Sequence, residues 1–142
     1  GSRQGLHTAV VTTARDALIA ASAPRAELPP RARLDDTIER IVAFVRAHRG
    51  TFYSLVRGVA SGDPVVRELV DEARDENAHR IVEVFHELGH ADSPLLSVAA
   101  RAWVAFAEDV LIELGLESDR PAGEIVAFLS RSALAIAASV DH

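Results

Sequence analysis

The stretch Ser93 to Leu116, SPLLSVAARAWVAFAEDVLIELGL, limits what this chain can fold into more than any other, because its apolar residues leave no clean polar side for water. Leu96, Ala99, Ala100, Trp103, Phe106, Ala107 and Val110 follow the i, i+3, i+4, i+7 spacing of one buried helical stripe. Val98, Ala102, Ala105 and Ile112 make the opposite side apolar too. A helix that is hydrophobic most of the way round has to be covered on both sides. At 142 residues the chain fits one domain and is short for wrapping such a helix in a large core of its own. The expectation is therefore a helix shared between the domain's interior and a second subunit.

The remaining segments read as five more helices, and no strand or internal repeat competes with them. Ser2 is placed to cap a first helix through Leu6, Val10, Ala14, Leu18 and Ala21, ending near Ser22. The run APRAELPPRAR breaks regular structure with Pro24, Pro29 and Pro30, so a loop is expected there. A second helix, Leu34 to His48, puts Ile38, Ile41, Val42 and Val45 on one face, and Gly50 is expected to stop it. Thr51 then caps a short third helix striped by Phe52, Leu55, Val56 and Val59. Asp63-Pro64 and Ser93-Pro94 are N-cap and N1 pairs that start the fourth and fifth helices. The fourth runs to about Leu88, its apolar line of Val66, Leu69, Val70, Ala73, Ile81, Val84 and Phe85 interrupted by Asn77. The sixth, from Pro121 to about Val140, carries Ile125, Phe128, Leu129, Ile136 and Val140 among many alanines. The fold class is all-α.

Composition narrows the partners. The net charge of −6 lacks the basic footprint of a nucleic-acid-binding surface, and no uninterrupted apolar run approaches the ~18 residues of a membrane span. Cys is absent, so no disulfide forms, which fits a reducing cytoplasm. Met is absent too and the first residue is Gly, so the chain reads as a processed or trimmed piece, with Gly1-Ser2 either native or a cloning remnant.

Two motifs suggest metal chemistry. His86-Glu87-Leu88-Gly89-His90 matches the H-E-x-x-H pattern in which two imidazoles on one helix face hold Zn²⁺ and the Glu acts as general base, and Glu108 on the next helix is available as a third ligand. Against this, Gly89 and the following Ala-Asp-Ser-Pro are expected to end the helix inside the motif, spoiling the i, i+4 geometry. Glu76-Asn77-Ala78-His79 is a single E-x-x-H element, whereas di-iron bundles need two plus further Glu. The expectation is no bound metal, no cofactor and no catalytic residue, with a zinc metallopeptidase as the alternative.

A quieter pattern is the interleaving of aromatic and polar residues on faces that should point inward. Phe44, His48, Phe52, Tyr53 and Val56 lie on the second and third helices, Asn77, Ile81 and Phe85 on the fourth, Trp103 and Phe106 on the fifth. An apolar cavity with a few placed polar groups is what a small-molecule site looks like. Asn77 and His48 are the expected orienting groups, since a buried amide without partners costs about 1–3 kcal/mol.

Several segments resemble the ligand-binding, dimerising part of tetracycline-repressor (TetR) family transcriptional regulators. They are FVRAHRGTFYSLVRG (Phe44 to Gly58), the turn Gly62-Asp63-Pro64-Val65-Val66-Arg67, the tryptophan helix RAWVAFAEDV (Arg101 to Val110) and the entry Arg120-Pro121 to the last helix. The opening GSRQGL is similar to the junction just after such a regulator's recognition helix. The resemblance implies that residues 1–142 form a ligand-binding and dimerisation domain of a cytoplasmic regulator, a repressor by expectation, with no membrane partner and no catalysis. DNA would be met only through an N-terminal helix-turn-helix that this sequence lacks. It further implies a homodimer in which the last two helices of each subunit form a four-helix bundle, with Ala102, Ala105, Ile112, Phe128, Ser132 and Ala135 at the contact. A structural helical dimer without a ligand is the remaining alternative.

Overall fold

Local start and stop signals set the helix order in the computed structural model, which describes the backbone of residues 3–60 and 62–141 and the side chains of residues 8–55 and 62–141. Six α-helices follow one another: α1 Arg3–Ala21, α2 Pro30–Ala47, α3 Arg49–Ala60, α4 Pro64–Glu87, α5 Pro94–Val110 and α6 Ala122–Val140. No strand occurs among the described residues, and the class is all-α. The expected cap at Ser2 and the side chains of Leu6, Val56 and Val59 lie outside the described residues.

The two Pro-led starts form as their chemistry demands. The Asp63 carboxylate accepts the Val65 N–H at 2.9 Å and the Ser93 hydroxyl accepts the Leu96 N–H at 3.0 Å, with Pro64 and Pro94 in the first turn, where a missing N–H costs nothing. Gly89, at φ +101°, supplies the left-handed residue that takes the chain out of α4.

Three boundaries differ from the sequence reading. Helix α2 begins at Pro30 rather than Leu34, because the second proline of Pro29-Pro30 is itself a good first helical residue. Gly50 does not stop α2. The break is one residue, His48 at φ −128° and ψ 53°, and Gly50 falls inside the first turn of α3. The stretch expected to be one helix through Leu116 is α-helical only to Val110 and then widens into a π-helical segment, Leu111–Leu116. Its carbonyls are drawn toward two arginines next to the α2–α3 break: Arg46 donates to Leu114 O and Gly115 O, each at 3.2 Å, and Arg49 to Leu116 O at 2.6 Å. The exit carbonyls of α1 are held similarly, Ala21 O by Arg40 at 2.8 Å and Ile19 O by Arg80 at 3.2 Å. Helix ends present orphan carbonyls, and here tertiary arginines satisfy them.

Helices α2, α4, α5 and α6 pack around the main apolar core, in which Phe85, Leu96, Ile125 and Ala133 are fully buried. A smaller cluster, Val11, Ala14, Leu55, Val66 and Val70, joins α1 to α3 and α4. Ser130, nearly buried on α6, donates its hydroxyl to Asp35 of α2 and ties these two helices together. Helix α6 is long and apolar enough, at mean hydropathy 1.4, to meet the length and composition of a membrane span. Its Ile125–Leu129–Ala133–Ala137 face is packed in the core, and 28% of the apolar window is buried.

Candidate functional site

The two hydrophobic clusters do not close completely on one another, and a cavity of about 270 Å³ lies between them. That is larger than the ~150 Å³ void that takes up benzene and just under the ~300–1,000 Å³ of typical ligand pockets. Its walls come from single faces of three helices. Leu34, Ile38 and Ile41 stand one turn apart on α2; Val70, Ala73 and Asn77 do so on α4; Val104, Ala107 and Leu111 continue along α5 into the π segment. Phe52 and Leu55 of α3 and Leu18 of α1 fill the remaining side.

Six polar or partly polar side chains reach this wall: Thr37, Arg74, Asn77, Arg80, Trp103 and Glu108. Arg74 and Glu108 form a bidentate pair across α4 and α5, Nε to Oε1 at 2.7 Å and Nη2 to Oε2 at 2.8 Å. The Glu108 carboxylate hydrogen-bonded to Arg74 raises the guanidinium above its ordinary pKa by more than burial lowers it, and Asp71 adds to the effect. Trp103 donates its indole N–H to Ser132 Oγ at 3.1 Å. Asn77, half-buried rather than fully enclosed, has no hydrogen-bond partner among the described residues.

Of the residues singled out by sequence, Phe52, Asn77, Ile81 and Trp103 are brought together on this wall. The others stand elsewhere. Phe44 and His48 stack on each other with ring centroids 4.7 Å apart, and His48 is exposed. Tyr53 packs, half-buried, against the main core, while Phe85 is fully buried within it. Phe106 meets Phe128 edge-on at 5.6 Å, joining α5 to α6. The Val56 side chain is outside the described residues. Sequence reasoning passed over the aliphatic α2 face and the Arg74–Glu108 pair. The first was visible as a 34/38/41 stripe but has no special chemistry, and the second spans 34 positions and left no local signal.

Of the dimer-face residues, Ala102, Ala105, Phe128 and Ala135 are exposed, Ser132 is half-buried beneath Trp103, and Ile112 lines the cavity. Nearby, the hydrogen-bonded Asp109 carboxylate pushes the exposed Glu113 carboxyl up from its usual value.

The H-E-x-x-H residues are drawn to separate partners at the end of α4. His86 Nε2 faces Asp92 at 3.5 Å, Glu87 pairs with Arg33, and His90 Nδ1 meets Asp141 at 2.8 Å. Helix α4 stops at Glu87, so the two histidines do not share a helical face. Glu108 is engaged by Arg74, and no group of three or more potential metal ligands occurs among the described residues. Glu76 pairs with Arg80, and His79 with Glu83. His86→Ala is expected to change stability by less than about 0.5 kcal/mol, as surface substitutions do, with well under one zinc per chain before and after mutation by elemental analysis. Stoichiometric zinc lost in the variant would reverse that assignment.

No curated protein and no solved structure matches the chain. The family model of the tetracyclin repressor-like C-terminal domain does match, over residues 30–136, which takes in α2 to α5 and most of α6 and therefore nearly the whole cavity wall. An all-α domain with a small apolar cavity among its middle helices, matched over most of its length, belongs to the tetracyclin repressor-like C-terminal domain family.

Proposed function

We propose that this chain is the effector-binding and dimerisation domain of a cytoplasmic transcriptional regulator, a repressor, and that a small, largely apolar molecule is sensed in the cavity. The observation that carries this reading is an apolar cavity whose wall presents one unpartnered amide, Asn77. Apolar side chains that line a cavity have fewer packing partners than those in a closed core, and an apolar ligand supplies such contacts. DNA is contacted through a separate helix-turn-helix, and this acidic domain supplies the sensor. A second copy packs on the outer side of α5 and α6, where Leu95, Val98 and Phe128 are 57%, 51% and 40% exposed beside Ala102, Ala105 and Ala135.

The test is a melting screen of the purified chain against small apolar compounds, with Trp103 fluorescence as the second readout. A compound present at about a hundred times its dissociation constant is expected to stabilise the fold by about 2.7 kcal/mol. Ala107→Phe, which fills the cavity from α5, is expected to abolish that shift while leaving a folded helical protein. A screen in which no compound moves either readout would favour the structural dimer without a ligand.

A further inference from the structure

The wall of the cavity carries charge, yet nearly all of it is already committed. Arg74 spends Nε and Nη2 on Glu108, and its Nη1 faces Asp71 at 3.6 Å. Both Glu108 oxygens are taken in return. Arg80 donates to Ile19 O at 3.2 Å and to Ser22 Oγ at 3.1 Å, and its Nε pairs with Glu76 at 3.3 Å. Thr37 donates its hydroxyl to Arg33 O at 2.8 Å, and the Trp103 N–H is used by Ser132. Asn77, with an acceptor oxygen and two donor hydrogens, is the lining polar side chain left with no partner at all among the described residues.

From this inventory we propose that the Arg74–Glu108 pair is a charge filter: the cavity takes an uncharged molecule with one hydrogen-bonding head for Asn77 and rejects carboxylates and amines of the same shape. This rests on the cavity being the effector site and adds the chemical class of the effector. A carboxylate entering the cavity can gain the Arg74 guanidinium only in competition with Glu108 on Nε and Nη2 and with Asp71 beside Nη1. That leaves several carboxylates competing for one cation in a mostly apolar space, where an uncompensated charge is costly. An ammonium meets the mirror-image problem, since each Glu108 oxygen already accepts from Arg74 and the guanidinium beside them repels a second cation. A primary amide or an alcohol asks nothing of the pair and bonds to Asn77.

The test uses three probes of one chain length, octanamide, octanoate and octylammonium, titrated at neutral pH into the full chain and followed by calorimetry and Trp103 fluorescence. The unaltered protein is expected to bind octanamide about tenfold or more tighter than either ion, the worth of a charged hydrogen bond that the ions cannot make without breaking the pair. Asn77→Leu is expected to weaken octanamide by about three- to tenfold. Glu108→Gln frees Arg74 and is expected to bring octanoate to or above octanamide; Arg74→Gln frees Glu108 and is expected to do so for octylammonium. Octanoate binding the unaltered protein as tightly as octanamide, or no gain in Glu108→Gln, would overturn the filter while leaving the cavity as a ligand site. No binding of any probe to any of these proteins would remove the effector-site reading and the filter with it. Should either single variant fail to fold, the Arg74→Gln/Glu108→Gln double variant decides, because it leaves no unpaired charge. It is expected to narrow the gap between octanamide and octanoate, and an unchanged gap would overturn the proposal.

Discussion

Ala105→Arg is expected to convert the proposed dimer to a monomer, the largest change in assembly that any single substitution here should cause. Ala105 is exposed on α5 in one line with Leu95, Val98 and Ala102, and Phe128 of α6 stands beside that line, held edge-on by Phe106. Small residues in such a line let a second helix approach to the ~8–10 Å of ordinary helix packing, and the flanking Leu, Val and Phe supply the apolar area. Each chain carries a net charge of −6, so two copies repel at long range and need an uncharged contact to overcome it. A guanidinium at its centre would be buried without a partner, at a cost of about 3–5 kcal/mol on each side of the two-fold axis. Light scattering after size exclusion is expected to give half the parental mass. Ala26→Arg, exposed in the α1–α2 connection, is the matched control and is expected to leave the mass unchanged. An unaltered dimer in Ala105→Arg would place the interface on another face.

Phe85→Ala is expected to lower folding stability by about 3–5 kcal/mol, the usual cost of emptying a phenylalanine site in a packed core. Phe85 is 0% exposed, lies in the main cluster and meets His90 edge-on at 6.1 Å. Because it does not line the existing cavity, its removal opens a second void inside the packed main cluster. A loss of that size is a large share of the ~5–15 kcal/mol that holds a domain together. Urea unfolding followed by circular dichroism is expected to show a lower midpoint at unchanged slope, the signature of lost stability without a changed unfolded state. A loss below about 1 kcal/mol would mean that the site is loosely packed.

Helix identity and most helix starts were legible because they depend on neighbours in sequence. Asp63-Pro64 and Ser93-Pro94 carry their own hydrogen-bond logic, Gly89 takes a left-handed turn that other residues resist, and the 3.6-residue spacing of apolar positions marks which side of each helix is buried. Asn77 was legible for the same reason, as a polar residue on an apolar line. Periodicity says that a face is buried, but not whether two buried faces meet. The cavity exists where the α1–α3–α4 cluster and the main core fail to close, so its walls follow from packing: aliphatic faces of α2, α4 and α5 in place of most of the expected aromatics. Phe44 went to His48, Phe106 to Phe128 and Phe85 to the core because large rings settle wherever contact area is greatest, and a void offers the least. The Arg74–Glu108 pair and the Arg46 and Arg49 clamp on the π segment join residues far apart in sequence. Sequence alone determined the helices and their buried faces; only the tertiary structure decided where those faces leave room and which charges neutralise one another across it, because both depend on distances between helices that no local pattern encodes.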